Sequence, residues 1–242
     1  MNTNNIILKV QLELQALMSG VNVAAHGYDH FIDVWNHSVK ALKHEQLSDR
    51  IKLEIELAAL LHDADDKKVF KKNVTSSNSQ ESYPNAREIL KKTTIEVDNQ
   101  EQFIQDIIDM ISLVSCSENG DNEPPHPWMA IPRDCDRLEA IGEIGIKRCK
   151  EFIIEKKAPF HVENTIIAKT SDEVESAANP ERFAAYMRGA RSVSMIDHYY
   201  DKLLHIGKPH CLRSQNPYIL EEAARRNNVM TQYVIDYWTN SV

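Results

Sequence analysis

The residues best placed to do chemistry stand in Ala58-Ala59-Leu60-Leu61-His62-Asp63-Ala64-Asp65-Asp66-Lys67-Lys68, where an apolar run ends in His-Asp and further carboxylates. A histidine and an aspartate delivered to the interior by such a run are costly unless they are paired or bound to metal, because desolvating charge without a partner is unfavourable. Asp66 follows His62 by four residues and Asp63 by three. If helical geometry continues that far, the three side chains converge on one point. Nitrogen and oxygen donors around an open position suit a divalent ion such as Mn²⁺, Fe²⁺, Co²⁺ or Ni²⁺ better than a thiolate site does. The missing donors must come from elsewhere in the chain.

A second group of imidazoles stands in Ala25-His26-Gly27-Tyr28-Asp29-His30-Phe31-Ile32-Asp33-Val34-Trp35-Asn36-His37-Ser38. If a helix begins near Tyr28, then His30, Val34, His37, Ser38 and Ala41 share the face that meets the core. A lone histidine there is more often a hydrogen-bonded core residue than a ligand, but the His-Asp pair downstream changes that balance. Asp134 and Asp136, at i and i+2, point to different sides of a helix, so at most one faces an ion. Either can equally cap a helix or pair with Arg133 or Arg137. For an anionic substrate, Lys67, Lys68, Lys71 and Lys72 form either a solvated basic turn or a phosphate-attracting rim. Arg188, Arg191 and His198 fit one helix face, more simply a solvated one, although an arginine there can hold a phosphate bidentately.

The elements that must position these groups read as helices. Residues 6–18 place Ile7, Val10, Leu14 and Leu17 at helical spacing with Gly20 as the stop, and Ser48-Asp49 caps a helix that becomes apolar all round towards Leu61. A polar, serine-rich loop over 71–85 and a short helix from Ala86 to Lys92 follow. Asp98-Asn99-Gln100-Glu101 has the pattern of a capping box ahead of Phe103, Ile104, Ile107, Ile108, Ile111 and Val114. Ser115 to Ile131 reads as a proline-marked loop with His126 exposed, and Pro132 opens a helix in which Cys135, Leu138, Ile141 and Gly142 are helix-spaced. Residues 157–178 read as irregular. Asn179-Pro180 and Asn216-Pro217 announce two last helices, Phe183 to Ile206 and Tyr218 to Trp238.

Composition narrows the classes. The chain has 242 residues, 42% hydrophobic, and its helix-spaced apolar segments favour one mostly helical domain over 1–242, with a core at about 22–150 and C-terminal helices at 179–240 packing on it. A formal charge of −8 argues against nucleic acid as a partner held by an overall positive field. The four cysteines, Cys116, Cys135, Cys149 and Cys211, form no C-x-x-C pair. They read as structural thiols in a reducing, cytoplasmic setting, since nothing at the N-terminus has the form of a signal peptide. No apolar run approaches the ~20 residues a membrane span needs.

His30, then His62-Asp63, then Asp136-Arg137-Leu138, resembles the H…HD…D order of the HD-domain superfamily of metal-dependent phosphohydrolases. The resemblance is closest to the branch with His-x-x-x-His, Leu-Leu-His-Asp-x-x-Asp-x-Lys and Asp-Ala-Asp-Arg-Leu-Asp-Ala-Ile-Gly-Ala-Ile-Gly segments. These stand here as His26 to His30, Leu60 to Lys68 and Asp134 to Gly145, and Ser194 to Leu204 is similar to that branch's C-terminal helix. The resemblance implies an all-α bundle with a metal site at its centre and polar loops around the mouth. It implies one divalent ion, Mn, Co, Ni, Fe or Mg, on His30, His62, Asp63 and Asp136, with Asp66 handling the attacking water. His26, Asp134 and Arg137 then support the ligands, and Lys67, Lys68, Arg87, Arg188 and His198 are the groups that can meet the substrate.

The implied activity is hydrolysis of a phosphoester or phosphoanhydride bond of a small molecule, a nucleotide by expectation. The alternatives are a nucleotide-binding sensor without turnover and a di-iron HD oxygenase recruiting His26, His37 or His198. Two departures stand out: Gly27 where the branch commonly has Asp, and Asp33 where an Arg often stands.

Overall fold

The computed structural model of the chain describes residues 3–20, 27–66, 70 and 82–240, and every regular element among them is helical. It forms two compact units, Met1–Ser115 with Pro124–Asp136, and Cys116–Glu123 with Arg137–Val242.

The first unit is built around the helix that is apolar all round. Helix α1 covers Thr3–Met18, α2 Tyr28–Ala41 and α3 Asp49–Leu61. Leu53, Ile55, Leu57 and every residue from Ala58 to Leu61 are fully buried, and α3 packs against α1, α2 and α5 (Gln100–Ser112). Ser48 caps α3 by accepting from the Ile51 N–H at 3.3 Å. On α2 the expected face is buried as a set: His30, Val34, His37, Ser38 and Ala41. α4 (Pro84–Thr93) closes the unit against α1 and α5.

Two expectations here need correction. Asp98 to Glu101 does not form a capping box, because Asn99 precedes α5 in a left-handed conformation (φ 51°) and makes no side-chain cap bond. The helix opened near Pro132 does not run on past Ile141. α7 spans Ile131–Glu139 and α8 restarts at Gly142–Lys156, with Gly142 at φ +70°. The turn is tight enough that a Cβ on Gly145 would run into the Ala140 carbonyl oxygen.

In the second unit α8 packs on the long α13 (Pro217–Asn240), and Arg226 of α13 donates to the Leu138 carbonyl at 2.6 Å and to Glu139 at 3.0 Å. The stretch from Ser115 to Ile131, expected as loop, contains a short α6 (Cys116–Asn119) in this unit and a 3₁₀ turn (Pro127–Ala130) that belongs to the first. Residues 157–178, expected as irregular, contain α9 (Ser171–Ala177), opened by a capping box between Thr170 and Glu173.

The expected single helix from Phe183 to Ile206 is broken. α10 (Pro180–Met187) ends before Gly189 at φ +95°, and Ser194 caps a new start, α11 (Met195–His198). A π-helical turn (Tyr199–Leu203) and α12 (Leu204–Ile206) continue it. Arg188, Arg191 and His198 therefore do not share one helix face. No helix of the described residues is long and apolar enough to cross a membrane.

Candidate metal centre

Three elements of the first unit bring four donors together. α2 presents His30, the end of α3 presents His62 and Asp63, and α7 presents Asp136. The two imidazole Nε2 atoms face each other at 3.2 Å. Asp136 Oδ1 lies 3.3 Å from His30 Nε2 and 3.7 Å from His62 Nε2. Asp63 Oδ2 lies 3.8 Å and 3.5 Å from the same two nitrogens. Donors held at 2.0–2.2 Å by one ion are about 3.0–3.5 Å apart at octahedral or tetrahedral angles. One donor atom from each of His30, His62 and Asp136 lies within 4.8 Å of the other two, and Asp63 stands beside both imidazoles, so modest side-chain shifts separate the cluster from that spacing.

The local backbone explains the convergence. α3 stops at Leu61, and His62 Nδ1 bonds its own helix through the Ala59 carbonyl at 2.9 Å. That bond makes Nδ1 the protonated nitrogen of a neutral ring and turns the Nε2 lone pair inward. Two lone pairs meeting at such a distance repel unless a cation or a proton lies between them. Burial pushes His62 down, but Asp63 and Asp136 outweigh it and raise the imidazole to about 9. Burial pushes Asp136 up, yet the His30 bond and the charges of His62 and His30 leave it below the usual carboxylate range. The imidazole side chains are 6% and 0% exposed, Asp63 17% and Asp136 30%, so solvent and any ligand reach the cluster from its carboxylate side.

Beyond Asp63 the chain tightens into i→i+3 turns, Ala64 N–H to Leu61 O and Asp66 N–H to Asp63 O, so the helical path expected to carry Asp66 to the cluster is replaced by a turn. Asp66 remains half-buried one turn past His62 and Asp63. Its neighbour Asp65 has a task the sequence did not reveal. Its two carboxylate oxygens accept from the backbone N–H groups of Asn85 (2.9 Å) and Ala86 (3.0 Å) at the start of α4, while Asn85 Nδ2 donates to Ala64 O at 2.8 Å.

Of the other expected residues, Asp134 is fully buried against Arg133 at 3.4 Å, so the two aspartates of α7 do part company as their spacing requires. Arg137 donates to the carbonyls of Gly120 and Cys211 and to Asp121, supporting those segments of the second unit. Arg87 is bound to the Ser82 carbonyl and to Gln105. Arg188 is an exposed cap of α10, and His198 is pushed down to about 3, by burial first and then by Lys202, so it is neutral rather than a cation for phosphate. His26, Lys67 and Lys68 lie outside the described residues.

No family model matches the chain. An uncharacterised protein, L803, of Acanthamoeba polyphaga mimivirus is 49% identical over 247 residues, covering 98% of this chain and 99% of that protein. Among solved structures, an HD-superfamily hydrolase from Bacillus thuringiensis superposes with a TM-score of 0.64 at 18% identity, covering 98% of this chain and 96% of that one. Bacillus subtilis YpgQ, solved in complex with ADP, gives a TM-score of 0.62 at 18% identity, over 99% of this chain and 97% of that one. At these identities the solved structures speak for the fold.

Proposed function

We propose that this chain, which belongs to the HD-domain superfamily and to one family with the mimivirus protein, is a metal-dependent phosphohydrolase of small phosphate compounds, nucleotides foremost. The observation that carries the reading is the meeting of two imidazole nitrogens 3.2 Å apart, each with the Asp63 and Asp136 carboxylates at 3.3–3.8 Å, open on the carboxylate side. His30, His62, Asp63 and Asp136 would hold the ion. A divalent ion bound there supplies Lewis acidity towards a phosphoryl oxygen and lowers the pKa of a coordinated water.

The chain's own residues supply the rest. Two neutral imidazoles and two carboxylates balance a 2+ charge and would leave positions on the ion for a water and a phosphoryl oxygen. Asp66, one turn past Asp63, orients the attacking water and takes its proton. Asp65 fixes the turn that carries Asp66 by tying it to α4. A nucleotide as substrate is supported by the ADP bound to YpgQ, a protein of the same fold.

The test is a hydrolysis screen of nucleoside mono-, di- and triphosphates and other phosphoesters with Mn²⁺, Co²⁺, Ni²⁺ and Mg²⁺, the products being identified. Metal-dependent turnover of at least one nucleotide is expected. A metal-loaded protein that binds nucleotides and hydrolyses none would make it a sensor. Two ions in this cluster would make it an oxygenase candidate.

A further inference from the structure

The second unit holds another cluster of ligand types, built by different residues. His205, in α12, is 4% exposed, and His210 and Cys211 stand in the 3₁₀ turn Pro209–Cys211. One donor atom from each of the three lies within 4.8 Å of the other two. His205 Nε2 is 3.3 Å from Cys211 Sγ and 2.8 Å from Asp121 Oδ2. Arg137 takes the other oxygen, Asp121 Oδ1, at 3.1 Å, which turns Oδ2 towards the histidine. Donors at 2.0–2.3 Å from one tetrahedral ion lie about 3.3–3.6 Å apart; the His205–Cys211 pair stands at that spacing, and Asp121, now hydrogen-bonded to His205, would turn towards the other three to complete a shell.

His205 Nδ1, on the other edge of the ring from this cluster, is buried with no hydrogen-bond partner, so the ring is anchored through Nε2 alone. The Phe183 ring lies flat against it, centroids 3.8 Å apart at 15°, and holds its plane. A His–Asp–Arg hydrogen-bond network accounts for Asp121 and His205, and the same turn brings Cys211 Sγ to His205 Nε2 and the His210 ring edge-on against His205.

We infer that His205, His210, Cys211 and Asp121 form a structural zinc site, distinct from the His30/His62/Asp63/Asp136 cluster. The thiolate selects a softer ion than the oxygen-rich first cluster does. Four protein donors leave no open position, which is the mark of a structural rather than a catalytic site. The ion would clamp the Cys116–Glu123 segment to the turn after α12, joining stretches 84 residues apart in sequence.

Cobalt separates the two sites, because the first cluster contains no sulfur. The full-length protein carrying His62→Ala, loaded with Co²⁺ alone, is expected to show a thiolate-to-cobalt charge-transfer band at one ion per chain, displaced by stoichiometric Zn²⁺. Cys211→Ser is expected to lose the band. Should that variant fail to fold, His210→Ala changes an exposed residue and is expected to weaken Zn²⁺ binding by at least about tenfold, the least that loss of a ligand costs. Absence of the band in the His62→Ala protein, its survival in Cys211→Ser, or unaltered Zn²⁺ affinity in His210→Ala would each overturn the assignment, whatever the outcome of the hydrolysis screen.

Discussion

His62 is pulled in two directions, and the balance can be measured. Burial disfavours its charge, while Asp63 and Asp136 hold the proton to about pH 9. A cation can bind only the neutral ring, so loading the site near pH 7 must expel that proton. Apparent affinity for Mn²⁺ is therefore expected to rise by about tenfold per pH unit up to pH 9 and then level off. Calorimetric titration in buffers of different ionisation heat should read about one proton released per ion at neutral pH. Since the folded pKa is raised, the ion-free protein gains stability from this proton below the ordinary histidine value of about 6.5 and loses it as the pH climbs through the raised one. Metal occupancy removes the dependence between those two values and leaves the loaded protein less stable below the ordinary histidine value, where the unfolded ring takes up a proton that the bound one cannot.

Asp66 is tested differently, because it is proposed to act on water and not on the ion. Asp66→Asn should lower turnover by about 10²-fold or more with metal content unchanged, as loss of a general base does. Full activity in that variant would hand the water to another group.

At the scale of elements, what the sequence revealed and what it hid divide along the reach of each interaction. The segments that carry the candidate donors were legible from helical spacing: the α2 face from His30 to Ala41 and the apolar run into Leu61 fold as read. The capping box that opens α9 was equally legible in Thr170-Ser171-Asp172-Glu173, a local pattern passed over in a polar stretch. The start of α4 was not legible. Tyr83 precedes it in a left-handed conformation without a cap bond, and the acceptors come from Asp65, 20 residues back. A rule that searches the residues next to a helix cannot find a cap supplied across a loop.

Helix continuity failed for a related reason. Gly142 and Gly189 fit a helical pattern, yet both stand at positive φ, +70° and +95°, where the helices end or restart. The substrate-facing cations were the least legible, because long basic side chains go where tertiary partners take them, as Arg87 goes to Gln105. Asp65→Ala strips two N–H groups of their acceptor and should cost about 1–2 kcal/mol in urea unfolding, as loss of a helix cap does. It should also lower kcat, since the turn carrying Asp66 loses its tie to α4. Unchanged stability would mean that water replaces the carboxylate at no cost.

For the whole molecule, the decisive fact is how far apart in sequence the proposed ligands lie. His30, the His62-Asp63 pair and Asp136 come from three separated stretches, and an unfolded chain offers no ready-made arrangement of them. An ion bound to the folded form therefore adds its binding free energy to stability, about 2.7 kcal/mol at a free concentration one hundred times Kd. For a chain of this length each kcal/mol moves Tm by about 2–4 °C, giving a rise of about 5–11 °C. Manganese suits the nitrogen and oxygen donors of the first cluster and not the thiolate of the second, so a Mn²⁺ titration in a scanning calorimeter reports on the first alone. Tm should keep climbing with the logarithm of free metal above Kd, and His62→Ala should flatten the response. All four donors lie within Met1–Ser115 and Pro124–Asp136. If the chain unfolds in more than one transition, only the one belonging to that unit should move with Mn²⁺. A manganese-dependent shift confined to the other transition would place the ion elsewhere.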